Sequence, residues 1–133
     1  MSRSTLVETI KETLKSYYAY LEKFEGDQIL DLWYHDGKMY NVGNANAFLI
    51  RTPQEFAHHM TQIGQTQDIP LKIKIDKIDH VAVHDLIASA EVHWRMILPD
   101  SVGIHRSCYH LAKMDSRWVI VSLMDRGLEI AEN

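Results

Sequence analysis

Polar side chains that could take part in catalysis lie close together in the second half of the chain. Glu91, His93 and Arg95 alternate along one segment, and Ser107 and Tyr109 alternate along the next. A histidine beside a carboxylate can act as a general base, and a tyrosine can donate a hydrogen bond to a carbonyl oxygen. We therefore interpret His93 and Tyr109 as candidate catalytic residues.

The same side chains allow other interpretations. Glu91 and His93 lie two positions apart on one predicted strand, roughly 6.5–7 Å from each other, and touch only with favourable rotamers. The group could therefore orient a ligand without any reaction, or could only satisfy its own hydrogen bonds. Arg95 beside Ser107 could bind a carboxylate through its bidentate guanidinium, or could form an ion pair with Glu91.

The eight histidines do not form a recognisable metal-binding motif. His58 and His59 are neighbours on a predicted helix and point in different directions. His80 and His84 fall in or beside a predicted hairpin turn. No HExxH or paired-cysteine motif is present, so we expect neither a metal nor another cofactor. The single cysteine cannot form an internal disulfide, which favours a reduced compartment, the cytoplasm.

Three long alternating segments must position these side chains. They cover residues 71–78, 86–98 and 104–126, and the third folds into two strands at Asp115 and Ser116. Alternation predicts strands, and strands of this length form a curved antiparallel sheet.

The register of the strands is estimated from their turns. If Leu98 pairs with Ile104, then His93 lies opposite Tyr109 on the neighbouring strand. Alternation along the strands then divides the side chains between the two faces of the sheet. One face mixes apolar and polar groups, which is typical of a ligand pocket: Glu91, His93, Arg95, His105, Ser107, Tyr109, Leu111, Trp118, Ile120, Ser122 and Met124. The other is small and apolar, so we expect a second copy of the chain to cover it: Ala88, Ala90, Val92, Trp94, Met96, Cys108, His110, Ala112, Val119, Val121 and Leu123.

Three helices are predicted in the first half of the chain. Thr5 and Glu8 form a capping box for the first, which we expect to end at Gly26. Asp27 can cap a short second helix. The third begins after Thr52, with a proline at its first position and a glutamate three residues after the cap, and we expect it to end near residue 64.

Short elements complete the predicted order. We expect a turn at residues 35–37, strands at 38–42 and 47–51 with a loop between them, and a polar connector at 65–70. The order is helix, helix, strand, strand, helix and four strands. It predicts one α+β domain over residues 1–133, with a strongly curved antiparallel sheet wrapped around the helices to form a cone with one pocket.

Composition excludes several classes of protein. The formal net charge is -4, and no basic cluster is present, which argues against nucleic-acid binding. No apolar run approaches the ~20 residues of a membrane helix. Hydrophobic residues make up 46% and charged residues 24% of the chain, proportions typical of a soluble globular protein.

Four segments resemble the nuclear transport factor two-like superfamily, also called cystatin-like: residues 26–27, 32–39, 107–113 and 118–121. The likeness spans nearly the whole chain and is greatest to small proteins grouped as lumazine-binding and to polyketide cyclases. The resemblance implies a cone-shaped pocket and a homodimer formed through the outer sheet face. It does not specify an activity, because a fold of this kind carries many functions.

The ketosteroid isomerases of this superfamily allow a residue-by-residue comparison. Their general-base aspartate corresponds to a position near Asn41, where an asparagine cannot accept the proton. Their helix-one tyrosine corresponds to a position near Ala19, flanked by Tyr18 and Tyr20. Their oxyanion-hole acid corresponds to a position near Tyr109, which could still donate a hydrogen bond.

Methionine and aromatic side chains suit a small hydrophobic or aromatic ligand. The leading hypothesis is a small-molecule-binding protein with an apolar pocket and a polar tip. The alternative is a cyclase, isomerase or dehydratase that uses His93 and Tyr109 as acid/base and oxyanion donor. A third is an accessory subunit whose pocket is filled by its own side chains. The candidate ligand-binding residues are Tyr18, Trp33, Met39, Asn41, Phe56, Met60, Arg95, Ser107, Trp118, Ser122 and Met124.

Overall fold

The computed structural model describes residues 2–42, 48–66 and 70–132. For residues 48 and 129–132 it describes the backbone only. The described elements follow the predicted α+β order. They are α1 (Arg3–Glu22), α2 (Gly26–Asp31), β1 (Trp33–Val42), β2 (Phe48–Arg51), α3 (Pro53–Thr66), β3 (Lys72–His84), β4 (Ile87–Ile97), β5 (Ser101–Met114) and β6 (Arg117–Glu132).

The six strands form one curved, open sheet in the order β2-β1-β6-β5-β4-β3. All neighbouring pairs are antiparallel except β1 and β6, which run parallel. The predicted strongly curved sheet with three helices is therefore confirmed, with one parallel pair that was not predicted. The inner, concave face of the sheet packs against the helices.

Helix α1 packs on this inner face through residues at helical spacing. Ile10, Leu14 and Tyr17 are fully buried, as expected for side chains three and four positions apart on one helix face. None of the described helices is long and apolar enough to cross a membrane.

Both predicted ends of α1 are wrong. Ser2 is the N-cap, and its hydroxyl accepts a hydrogen bond from the backbone N–H of Thr5, so the helix begins before the predicted capping box. It ends at Glu22 because Phe24 adopts a positive φ of 56° and turns the chain. Gly26 then begins α2 instead of ending α1.

Helices α2 and α3 approach each other closely at Gly26. A Cβ atom there would lie 2.6 Å from the carbonyl oxygen of Ala57, so only glycine fits without movement. The predicted N-cap of α3 is confirmed, since the N–H of Glu55 donates to Oγ1 of Thr52 over 3.1 Å. The helix continues to Thr66, beyond its predicted end.

The turn predicted at residues 35–37 lies within β1 instead. The pairing of β1 with β6 shifts between Trp33 and Lys38, so this part of the strand is irregular. Strand β3 likewise runs on to His84, past its predicted end, with two shifts in its pairing. Residue 47, the loop at 43–46 and part of the connector at 65–70 lie outside the described residues.

The register predicted between β4 and β5 is wrong by three residues. Ile97 pairs with Val102, and the backbone N–H of Leu98 donates to the carbonyl oxygen of Ser101 across a tight turn. Pro99 and Asp100 occupy the centre of this turn, which is shorter than the predicted loop. Because three is an odd number, the shift moves every β4 side chain to the opposite face.

The inner face of β4 is therefore the small, apolar one. Ala88, Ala90, Val92 and Trp94 are buried there, and Glu91 and His93 lie on the outer face. The β4 part of the apolar surface that was expected to require a second copy is covered by the helices, whereas Cys108 and His110 of β5 are exposed on the outer face. The argument for a homodimer from an uncovered apolar face is therefore wrong for β4.

The hairpin of β5 and β6 combines a confirmed turn with an unpredicted bulge. Met114 pairs with Arg117 as predicted, and the pairing continues to Leu111 with Ile120. One extra residue, Val121, then shifts the register, so Tyr109 pairs with Leu123 and not with Ser122. After this bulge Leu123, Asp125 and Gly127 of β6 face inward.

Candidate functional site

A cavity of about 200 Å³ lies between the inner sheet face and helices α1 and α3. Its walls are mainly apolar, and its own side chains do not fill it. Six of the predicted site residues line it: Met39, Asn41, Phe56, Met60, Ser107 and Tyr109. Nine further residues line it that were not named as candidate site residues, although His105 was predicted on the pocket face: Tyr17, Leu21, Leu71, Ile73, Trp94, Met96, His105, Leu123 and Asp125.

Two rows of paired residues build the polar part of the cavity. Trp94, His105 and Gly127 form one row across β4, β5 and β6. Ser107 and Asp125 form the next row, which Asn41 extends onto β1. Direct pairing fixes these side chains beside one another, because paired residues on adjacent strands share a face.

His105 and Asp125 form a polar pair in the wall of this cavity. Nδ1 of His105 lies 3.2 Å from Oδ2 of Asp125. The His105 side chain is 19% exposed and that of Asp125 13%. A carboxylate at Nδ1 selects the tautomer in which this nitrogen carries the proton, which leaves Nε2 as the acceptor. Within the described part of the chain, Nε2 has no hydrogen-bond partner.

Asp125 accepts hydrogen bonds from two further side chains. The hydroxyl of Ser107 donates to Oδ1 over 2.6 Å, and Nδ2 of Asn41 donates to Oδ2 over 3.3 Å. With His105 this makes three donors around one carboxylate. The network holds Asp125 in position and thereby orients the imidazole.

Trp94 connects the two rows. Its ring stacks on that of His105, with centroids 4.3 Å apart and planes 17° from parallel. Its indole N–H donates to Oγ of Ser107 over 2.9 Å. Trp94 therefore restrains both the imidazole and the hydroxyl that binds Asp125.

Two glycines leave space around the imidazole of His105. A Cβ atom on Gly103 would lie 3.2 Å from Nε2, and one on Gly127 would lie 3.6 Å from Cε1. Because neither residue has a side chain, neither places atoms beyond its backbone against the ring. His105 itself lines the cavity.

Two tyrosines, Tyr17 and Tyr109, line the cavity, and Tyr18 is buried behind them. The hydroxyls of Tyr18 and Tyr109 lie 2.6 Å apart, and Oη of Tyr17 accepts a hydrogen bond from the indole of Trp33. Burial raises the pKa of all three phenols well above the usual value, and the negative charge of Asp125 acts in the same direction. The tyrosines are therefore hydrogen-bond donors and not phenolate bases.

The prediction that His93 faces Tyr109 is wrong, because the register shift turns His93 outward. Its Nε2 lies 3.2 Å from Oε1 of Glu91, at ion-pair distance but outside hydrogen-bond geometry. Arg106 contacts both side chains, with Nε 3.1 Å from Oε1 of Glu91. Arg95 is also on the outer face and binds Asp76, so it lies away from the cavity and from Ser107.

The other predicted ligand-binding residues do not line the cavity. Tyr18, Trp33 and Trp118 are buried in the core beside it. Ser122 and Met124 face outward below the β6 bulge, where Oγ of Ser122 lies 2.9 Å from Nδ1 of His110. Among the described residues, no three or more histidine, cysteine, aspartate or glutamate side chains are grouped to hold a metal ion.

Sequence reasoning missed the central pair of the site for two reasons. His105 was predicted on the inner face, with Ser107 and Tyr109, but His93 was preferred because it lies near Glu91. Asp125 was assigned to neither face, and strict alternation from Ile120 would place it on the outside, because only a bulge turns it inward. Trp94 was also missed, because the wrong register between β4 and β5 placed it on the outer face.

Comparison with known proteins supports the fold. No protein-family model matches the chain, and no curated protein matches it. A solved Novosphingobium aromaticivorans structure, described as a "putative scytalone dehydratase", superposes with a TM-score of 0.81 at 15% identity and covers 100% of this chain and 92% of its own.

Two further solved structures agree. A "putative dehydratase" of the same fold from Streptomyces avermitilis gives a TM-score of 0.75 at 13% identity, covering 96% of this chain and 99% of its own. A Pseudomonas putida protein of unknown function gives 0.77 at 12% identity, covering 95% and 88%. These likenesses in architecture, at low identity, show that the chain has the nuclear transport factor two-like fold.

Proposed function

We propose that the protein binds a small, mainly apolar molecule with one polar end, and that His105 exchanges a proton with it. The observation that carries this proposal is the His105–Asp125 pair in the wall of an apolar cavity. An apolar cavity with a few convergent polar groups is typical of a ligand site. A histidine oriented by a carboxylate is a common general base.

The reaction class that we propose is the elimination of water from a hydroxylated ketone. Nε2 of His105 would remove a proton from the carbon next to the carbonyl group. The electrons of that C–H bond form the new double bond as the neighbouring C–O bond breaks. The departing hydroxyl takes the proton from Nε2 and leaves as water, which restores the neutral imidazole. Two structures of the same fold are described as dehydratases, which supports this choice.

Tyr109 would bind the carbonyl oxygen in this scheme. Tyr109 lines the cavity, and its hydroxyl lies 2.6 Å from that of Tyr18, which is not a lining residue. If Tyr18 donates its proton to Tyr109, the Tyr109 proton is directed to the ligand, and the raised pKa of both phenols keeps both protons in place. The role first assigned to Tyr109 is thus retained, with His105 as base in place of His93.

The test uses 4-hydroxy-4-phenylbutan-2-one and scytalone, because loss of water from either changes its ultraviolet absorbance. The wild-type protein is compared with His105→Gln and with the outer-face control His93→Gln. We expect the first variant to lose about 10²-fold or more in rate, the usual contribution of general acid–base catalysis, and the control to lose little. Equal rates for the wild type and His105→Gln would contradict the proposal.

Binding without reaction is the second candidate, and the largely apolar wall of the cavity favours it. Calorimetric titration of the same two compounds separates the candidates. Binding that His105→Gln preserves, with no change in absorbance over hours, would indicate a carrier or sensor. A ligand at 100 times its Kd would also raise the free energy of unfolding by about 2.7 kcal/mol.

We also propose that the protein is a cytoplasmic homodimer joined through the outer sheet face. Met124 is 49% exposed on that face and pairs with Cys108, so a large apolar side chain lies open there. The single cysteine suits a reduced compartment. Light scattering of the wild type and of Met124→Lys tests the dimer: we expect twice the monomer mass for the first and a smaller mass for the second.

A further inference from the structure

The cavity contains one carboxylate and no lysine or arginine among the described residues that line it. Asp125 supplies the carboxylate, and its hydrogen-bond partners are Asn41, His105 and Ser107. The tyrosines of the wall are neutral. The interior therefore has no permanent positive charge to balance a second anion.

The segments that separate the described ranges, and the C-terminal segment, contain no basic side chain. Residues 43–48, 67–69 and 129–133 include no lysine, arginine or histidine. Arg126, Lys72 and Lys38 are adjacent in sequence to residues of the cavity wall, but alternation along their strands turns them to the outer face, where they are exposed. Arg95 and Arg106 are engaged on the outer face by Asp76 and Glu91.

Arg51 is the one arginine that shares a face with a residue of the cavity. It pairs with Met39 between β2 and β1, and paired residues point to the same side. Its side chain is not part of the cavity wall. The edge position of β2 separates Arg51 from the row that contains Asp125.

We propose that this cavity selects uncharged ligands and rejects carboxylates, phosphates and sulfates of the same shape. This inference rests on the proposed function and specifies its substrate class: flat, neutral compounds of one or two rings that carry a carbonyl or hydroxyl group. An anion in the cavity would lose its hydration and meet the charge of Asp125 with no opposite charge nearby. A neutral molecule pays neither cost.

The volume agrees with such a compound. Drug-sized ligands occupy pockets of ~300 Å³ and above, and this cavity measures about 200 Å³. The stacked rings of Trp94 and His105 offer a flat wall for an aromatic ligand.

The test compares two probes of nearly identical shape, 2-naphthamide and 2-naphthoate, by calorimetric titration at pH 8. We expect the naphthoate to bind at least about tenfold more weakly, because it adds a second negative charge beside Asp125. In Asp125→Asn the difference should fall to within about threefold. Asp76→Asn removes an outer-face carboxylate, so it controls for net charge and should leave the wild-type ratio unchanged.

A second variant keeps the test valid if Asp125→Asn does not fold. Leu71→Arg adds a cation to the cavity wall without touching the polar network, and it should strengthen naphthoate binding relative to naphthamide. Naphthoate binding as tight as naphthamide binding in the wild type would overturn the inference. If Arg51→Met then abolished that binding, Arg51 would be identified as the missing counter-charge. Failure of both probes to bind would overturn the proposed function as well, whereas naphthamide binding alone supports both.

Discussion

The hydroxyl of Ser107 lies 2.6 Å from Oδ1 of Asp125, and the two residues pair directly across β5 and β6. The same hydroxyl accepts the indole N–H of Trp94. Ser107 is 1% exposed, and it is therefore a link between a buried indole and a carboxylate. Its removal would leave both groups short of a partner.

Ser107→Ala is expected to lower the free energy of unfolding by about 1–3 kcal/mol, because a buried N–H loses its acceptor. Chemical denaturation followed by tryptophan fluorescence measures the change. Ser122→Ala on the outer face is the matched control, and we expect it to stay within about 0.5 kcal/mol of the wild type. Similar values for the two variants would indicate that the Ser107 hydrogen bonds contribute little.

Tyr18→Phe removes the partner of the Tyr109 hydroxyl without changing the packing of the ring. We expect a loss of about 1–3 kcal/mol in stability, because the hydroxyl of Tyr109, a residue that is 2% exposed, loses its hydrogen-bond partner in the protein. Tyr20→Phe, at a partly buried site of the same helix, serves as the control. A Tyr18→Phe variant as stable as the control would mean that the short O–O contact contributes no net stability.

Alkaline pH should destabilise the protein through its buried phenols. Burial raises the pKa of Tyr17, Tyr18 and Tyr109 in the folded state above the unfolded value near 10. Between those pKa values the unfolded chain loses protons that the folded chain retains. The contribution of the phenols to the free energy of unfolding is therefore fully present below pH ~10 and falls as the pH rises beyond it. The loss is up to about 1.4 kcal/mol per pH unit for each phenol. Denaturation at a series of pH values checks this, and Tyr17→Phe should reduce the slope.

Gly127→Ala tests the space beside the imidazole. The new methyl group would make an ordinary contact with Cε1 of His105 at 3.6 Å, so the protein should fold with normal stability. We expect weaker binding of 2-naphthamide, because part of the volume next to His105 is filled. Gly103→Ala, whose methyl group would lie 3.2 Å from Nε2, should weaken binding further. Unchanged affinity in both variants would show that the ligand lies elsewhere in the cavity.

Cys108 should react slowly with alkylating reagents although it is exposed. Partial burial and the charge of Glu91 raise the pKa of its thiol, and Arg106 opposes them. Glu91→Gln is therefore expected to increase the rate of reaction with iodoacetamide at pH 8, and Arg106→Gln to decrease it. Equal rates in the two variants would show that these side chains do not control the thiol.

Alternation and capping patterns predicted the order of the elements and the curved sheet, because both depend on local composition. The cap of α3 was correct in detail, since Thr52 and Glu55 contact each other within one turn. The first cap was misplaced because Ser2 and Thr5 both suit an N-cap, and only packing decides between them.

The site was only partly predictable, because it depends on register and register depends on turns. A tight turn at Pro99 moved β4 by an odd number of residues, and one extra residue in β6 moved Asp125 inward. Neither effect changes the alternation of apolar and polar residues in the sequence, so neither could be predicted from it. The residues of β5 were assigned correctly because their inward positions include Tyr109 and Leu111, which are large and fully consistent with burial.

The extra residue at Val121 has a consequence for how such a site can change over time. Ile120 and Leu123 both face inward because the strand contains one residue more than its partner between them. A strand with uniform alternation would present the thioether of Met124 at the position now occupied by the carboxylate of Asp125. Which of these two side chains enters the chamber is thus set by the length of a strand, and the deletion of one residue at the bulge could exchange a carboxylate for a thioether without a single substitution in the wall.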